Sequence, residues 1–130
     1  FTFKLMNCIK KKKIFYLNNN GNHNRDLTYI KDVVKICIKL IKYNSFKKHE
    51  IFNICKSETI NIKALTKIFL KKYPNAKIVN AKVHKADVKN TFGSNKKIVK
   101  ALGYKKFTKY NKGILNSIKW FEKNQIFKLI

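Results

Sequence analysis

Gly21-Asn22-His23-Asn24-Arg25-Asp26-Leu27-Thr28-Tyr29-Ile30-Lys31-Asp32-Val33-Val34 is the stretch on which the fold of this chain turns. Arg25 is the only arginine in a sequence with 31 Lys+Arg. Its planar, permanently charged fork can hold two phosphate oxygens at once, which lysine cannot. Beyond it, Lys31, Lys35, Lys39 and Lys42 recur at helical spacing, with Val33, Val34, Cys37, Leu40 and Ile41 between them. That spacing predicts a helix over residues 31–43 with lysines on one face and core on the other. Leu27–Ile30 predicts a brief strand leading straight into it, and the Asn-rich run Asn18–Asn24 around Gly21 predicts a loop.

The whole chain has 130 residues, 31 Lys+Arg against 6 Asp+Glu, a net charge of +25 and 45% hydrophobic residues. This length suits one compact domain or a piece of a larger one, and the apolar fraction suffices for a core. No run of apolar residues is long enough for a membrane span. The chain begins on Phe1 without a basic-then-apolar leader, which predicts a cytoplasmic protein and leaves room for a start further upstream. Cys8, Cys37 and Cys55 are odd in number and widely spaced, so neither a disulfide frame nor a metal site is predicted.

A charge of +25 points first to nucleic acid, whose phosphates a basic surface neutralises. Two counts weaken that inference: the basic residues are lysines but for Arg25, and Lys, Asn and Ile together make up 63 of the 130 positions. This is a bias of the whole chain, and nucleic acid is not the expected partner. From Ile62 to Tyr73, Lys63, Lys67 and Lys71 again lie opposite Ile62, Leu65, Ile68 and Phe69, as on a solvated helix face. The run Lys10–Lys13 fits a helix end, where the negative end of the dipole favours cations.

The remaining order is mixed α/β without repeat or linker. Residues 1–11, with Phe3, Met6 and Ile9 at near-helical spacing, predict a helix, and Ile14–Leu17 a short strand. Residues 44–49 read as loop and Ile51–Ile54 as a buried strand. Asn61 is the expected N-cap of a helix over residues 62–73 that stops at Pro74. Ala76–Ala81 predicts a strand, Ser94 caps a helix that ends at Gly103, and Thr108 or Asn111 starts a last helix with Tyr110, Ile114, Ile118 and Phe121 on one stripe.

Six blocks now line up with one family. The stretch from Gly21 to Val34 resembles the G-x-x-x-R-D-F-x-Y-V-D-D-V-V segment of extended short-chain dehydrogenases, the NAD-dependent nucleotide-sugar epimerases and dehydratases. Ile51-Phe52-Asn53-Ile54 is similar to their F-N-I-G strand, and Ile60-Asn61-Ile62-Lys63-Ala64-Leu65 to their I-S-I-x-E-L helix start. Ala86-Asp87-Val88-Lys89-Asn90-Thr91-Phe92, Ala101-Leu102-Gly103-Tyr104 and Ile118-Lys119-Trp120-Phe121 resemble the closing blocks G-D-V-x-x-T-Y, L-G-Y-x-P and I-x-W-Y. The flavour is that of UDP-glucuronate and UDP-galactose 4-epimerases.

The resemblance implies that residues 1–130 are the C-terminal part of an α/β enzyme of this kind: the last Rossmann strand and helix plus the small lobe that binds a UDP-sugar. A complete enzyme, for which a homodimer is admitted, would use NAD and a tyrosine base to oxidise the sugar at C4 and return hydride to the other face. This chain carries neither Gly-x-x-Gly-x-x-Gly nor the catalytic Tyr-x-x-x-Lys in its context, so no catalytic, cofactor-binding or metal-binding residue is assigned, and the chain alone is expected to be inactive. Tyr43 with Lys47 and Tyr73 with Lys77 match the latter spacing by chance.

What the resemblance does assign is binding. Arg25 falls on the position that contacts the substrate diphosphate, the alternative being a structural arginine paired with Asp26 or Asp32. Asp87 matches the carboxylate that hydrogen-bonds the ribose, the alternative being a loop or capping aspartate. His84, with Lys85 beside it, stands where the family often has arginine, as an auxiliary cation. Phe15 and Leu17 align with the strand whose backbone meets the uracil ring, with core packing the competing role. Asn53 matches a strand-end asparagine of structural use, and Cys55 and Ser57 replace the glycines of a G-x-G loop. Outside this family, the remaining possibility is a lysine-rich nucleic-acid-binding module using Phe15, Tyr16 and Tyr104.

Overall fold

The fold comes from a computed structural model that describes residues 1–44, 49–82 and 87–124. Helix α1 (Thr2–Lys10) leads into strand β1 (Phe15–Asn18), a 3-10 turn (Asn19–Gly21) and the short strand β2 (Asn24–Arg25). Helix α2 (Ile30–Ile41) follows, then β3 (Ile60–Asn61), α3 (Ile62–Lys72), β4 (Ile78–Ala81), α4 (Lys96–Leu102) and α5 (Tyr110–Lys123). β1 and β4 pair in parallel, Phe15 opposite Ile78 and Asn18 opposite Ala81; β2 and β3 pair antiparallel. The class is mixed α/β with a parallel pair, as the sequence predicts.

Helices α1, α3 and α5 share one core with β1. Leu5, Met6, Phe15, Leu17, Ile62, Leu65, Phe69, Ile114, Ile118 and Phe121 form it. On α3 the expected face is the buried one, and Lys63, Lys67 and Lys71 are exposed. Asn61 caps the helix, its side chain accepting from the Lys63 and Ala64 N–H groups. Thr66, buried in the same face, donates its hydroxyl to the Ile62 carbonyl at 2.8 Å, so its polar atom is satisfied. Gly21 has a positive φ, and a Cβ there would meet the Lys63 backbone nitrogen at 2.8 Å, so only glycine lets the turn approach α3 this closely.

Several expected elements differ. No strand forms at Leu27–Ile30; the strand lies earlier, at Asn24–Arg25, straddling the end of the Asn18–Asn24 run expected to be loop, because β3 and residues 89–91 offer it partners on both sides. Ile51–Ile54 is not a strand, since no ladder stands beside it among the described residues. The inner face of α2 is only partly core: Asp32 and Ile36 are buried, whereas Val34, Cys37 and Ile41 are exposed. α1 buries Leu5 and Met6 but leaves Phe3 exposed, its ring edge-on to Trp120 with centroids 6.0 Å apart. Asn95, not Ser94, stands at the start of α4, and Lys109 at the start of α5; Gly103 does terminate α4 in the left-handed conformation. Residues 45–48 of the expected 44–49 loop lie outside the described residues.

Candidate functional site

Arg25 sits in β2, and the backbone around it fixes what it can reach. Asn24 and Asp26 donate their N–H groups to the carbonyls of Lys89 and Thr91, both at 3.1 Å, and Thr91 N–H donates to the Asn24 carbonyl at 3.1 Å. The segment after Asp87 is thus laid alongside β2, with an isolated parallel bridge between Asn24 and Asn90. This brings Asp87 to Arg25: guanidinium Nη2 and carboxylate Oδ1 are 2.8 Å apart, with the two side chains 20% and 25% exposed. Arg25 Nη1 donates to the Asn24 carbonyl at 2.9 Å and to the Lys89 carbonyl at 3.2 Å.

The two residues that stood out as separate substrate contacts therefore touch each other, and neither Asp26 nor Asp32 pairs with Arg25. A guanidinium has five N–H donors; three are engaged here, leaving Nε–H and one Nη2–H without a partner among the described residues. Asp87 bonds Arg25 through one oxygen. Partly exposed, the pair keeps donors suited to an anion and an acceptor suited to a hydroxyl among the described residues.

His23 completes this corner and was not singled out from the sequence. Its backbone is held by N–H donation to the Gly21 carbonyl and by acceptance from Ile62 N–H, both at 2.9 Å. Its Nδ1 is buried without a hydrogen-bond partner among the described residues. Burial first, and then the Arg25 charge, lower its pKa, opposed by Asp87. Only its place two residues before the lone arginine could have signalled it.

The neighbouring carboxylates brace the site. Asp26 Oδ2 accepts from the N–H groups of Ser57 at 3.0 Å and Gly93 at 3.3 Å. Asp32, 2% exposed, accepts from the Tyr104 hydroxyl at 3.1 Å and from the Thr108 N–H and hydroxyl at 2.7 and 3.0 Å. Of the other expected contacts, Phe15 and Leu17 put their side chains into the core, which leaves only the β1 backbone for a ligand. His84 and Lys85 lie outside the described residues. Tyr73 donates its hydroxyl to Glu122; burial and that bond raise its pKa, the opposite of what a catalytic base needs.

Residues 1–55 match the model of the NAD dependent epimerase/dehydratase family. Among solved structures, 94% of the chain superposes on UDP-glucuronic acid 4-epimerase from Bacillus cereus, in complex with UDP-glucuronic acid and NAD, at a TM-score of 0.82 and 19% identity. The fold is that of the NAD-dependent epimerases and dehydratases. TunA, an NAD-dependent NDP-hexosamine 5,6-dehydratase of tunicamycin biosynthesis, matches 96% of the chain at 0.80 and 15% identity. The uncharacterized protein MJ1055 of Methanocaldococcus jannaschii is 31% identical over 125 residues, 95% of this chain. The chain spans 37% of that relative, 39% of the epimerase and 40% of TunA.

The β3–α3 junction does not fit the pyrophosphate of NAD. Where a strand runs directly into a helix, at β3 and α3, the first N–H groups are taken by the Asn61 side chain, and no glycine loop opens the turn.

Proposed function

We propose that this chain belongs to the extended short-chain dehydrogenases and supplies the C-terminal, nucleotide-sugar-binding part of an NAD-dependent epimerase or dehydratase that acts on a UDP-sugar. The observation that carries this is the half-buried Arg25–Asp87 pair at 2.8 Å, assembled from residues 62 positions apart. Arg25 holds the diphosphate with the two donors that have no partner among the described residues, and Asp87 accepts from a ribose hydroxyl with its second oxygen. His84 and Lys85 add positive charge, and the β1 backbone at Phe15–Leu17 meets the base. NAD and the tyrosine base are held outside these residues, so the chain's own contribution is binding and orientation, and alone it does not turn over substrate.

Calorimetric titration of the 130-residue chain with UDP and UDP-glucuronate tests this. Loss of a charge-assisted hydrogen-bonded contact costs about 1.5–3 kcal/mol, so Arg25→Ala is expected to weaken binding about tenfold to a hundredfold. Arg25→Lys keeps the charge yet loses the fork, and is expected to recover only part of that affinity. Equal UDP affinity in all three proteins would sink the proposal. Tighter binding of a single-stranded oligonucleotide, falling steeply with salt, would instead support the lysine-rich module.

A further inference from the structure

Among the described residues every lysine is exposed except Lys56, whose side chain is 8% exposed. Its loop is tied down on several sides. The Lys56 N–H donates to the Thr28 hydroxyl at 3.1 Å, the Asn95 side chain donates to the Cys55 and Lys56 carbonyls at 2.9 and 3.2 Å, and the Ser57 N–H donates to Asp26. The Lys56 ammonium lies 4.2 Å from the centroid of the Tyr110 ring and pairs with Glu58, whose own side chain is 64% exposed. Tyr110 is fixed in turn by donating its hydroxyl to the Glu58 carbonyl. A lysine held this way gives up the rotamer freedom that the exposed lysines keep, so one ammonium is placed while the others are solvated.

Lys56 lines a cavity of about 650 Å³ bounded by the segment from Lys56 to Ile60, by α4 and by the start of α5. Lys105 and Lys109 line it too, and Ile60, Val99 and Phe107 give it an apolar wall. Arg25, Asp87 and His23 are not among its lining residues, so it is separate from the site described above. Three lysines against Glu58 leave the lining with two net positive charges. No side chain caps α5 at Lys109, and the positive end of that helix adds to the same field. A phosphate monoester carries about two negative charges at neutral pH, which this lining balances and a carboxylate would not. The volume lies in the range of roughly 300–1,000 Å³ that takes an organic molecule. We propose that this cavity binds a small organic phosphate monoester. Its phosphate sits on Lys56, Lys105 and Lys109 in place of the Glu58 carboxylate, which turns out to water, and its apolar group lies against Ile60, Val99 and Phe107. The inference rests on this cavity alone and does not require nucleotide-sugar binding at Arg25.

The test is calorimetric titration of the full chain with phenyl phosphate and with inorganic phosphate. The expected result is one saturable site, with phenyl phosphate held at least about fivefold tighter because its ring reaches the apolar wall. Lys56 packs on Tyr110, so the variant that carries the test is Lys105→Gln with Lys109→Gln, two exposed residues whose loss leaves the fold intact. It is expected to weaken phenyl phosphate about tenfold or more. Glu58→Gln removes the competing carboxylate and is expected to tighten it several-fold, roughly threefold or more, a gain that a merely structural Lys56–Glu58 pair would not give. In a chain of net charge +25 the decisive control is Lys67→Gln with Lys71→Gln, which takes the same charge from the exposed face of α3 and is expected to change affinity by less than about twofold. Absence of saturable binding would overturn the proposal. Equal weakening by both lysine pairs would reduce it to diffuse charge, and loss of binding in Arg25→Ala would put the phosphate at the other site; either result overturns it as well.

Discussion

Three charged residues within eight positions have three different jobs. Arg25 pairs with Asp87, Asp26 ties down the turns at Ser57 and Gly93, and Asp32 is a buried bracket for Tyr104 and Thr108. Replacing Asp32 with alanine leaves the Thr108 N–H and two hydroxyls without their acceptor. A loss of about 2–4 kcal/mol is expected, measured by urea denaturation. His23 gives a pH dependence whose sign follows from burial. Its pKa in the folded chain lies below the usual 6.5, so on acidification the unfolded chain binds the proton first. Stability therefore declines from about pH 6.5 downward until folded His23 is protonated too. His23→Gln is expected to flatten that part of the profile, and an unchanged profile would place the loss in another group. Arg25 was legible as a candidate because a lone arginine among lysines stands out. Its partner was not, because local spacing offered Asp26 and Asp32, while the contact came from a segment that a short β-bridge lays alongside.

Among the elements, α3 was legible almost to the residue: a strong 3.6-residue period, an Asn cap and a following proline agree. Strands were legible in part: the expected strands Ile14–Leu17 and Ala76–Ala81 become β1 and β4, but the others were misplaced, because a strand is defined by its neighbours. Leu27–Ile30 and Ile51–Ile54 have strand composition but form no strand among the described residues, while Asn24–Arg25 gains partners from two sides. The loop after Ile51–Ile54 shows how a departure from a glycine pattern is accommodated. Ser57 holds a left-handed φ of 58°, a conformation that costs a non-glycine residue about 1–2 kcal/mol. Its hydroxyl compensates by accepting from the Asn95 N–H at 2.7 Å. Ser57→Gly relieves the backbone and loses the bond, so thermal unfolding should change little. Ser57→Ala loses the bond and keeps the strain, and is expected to be about 1 kcal/mol less stable than the glycine variant. Equal melting of the two variants would contradict this account.

At the scale of the molecule, the described lysines sit outside a core built from four elements, and α2 keeps an apolar side uncovered among the described residues. Ile41→Lys is expected to shift stability by no more than about 0.5 kcal/mol while reducing binding of a hydrophobic dye, because little contact is lost at so exposed a site. A large destabilisation would mean that Ile41 is covered in solution. The charge was legible from composition alone, but the uncovered face was not, since the same residues at the same spacing describe a helix packed on both sides. The parallel pairing of β1 with β4 sets a timetable. Its two strands lie roughly sixty residues apart, so closing that loop must precede any gain from the ladder. During synthesis at about 5–20 residues per second, β1 leaves the ribosome several seconds before its partner exists. For that interval Phe15 and Leu17 have no β4 beside them, and α1 is the element already available to shelter them.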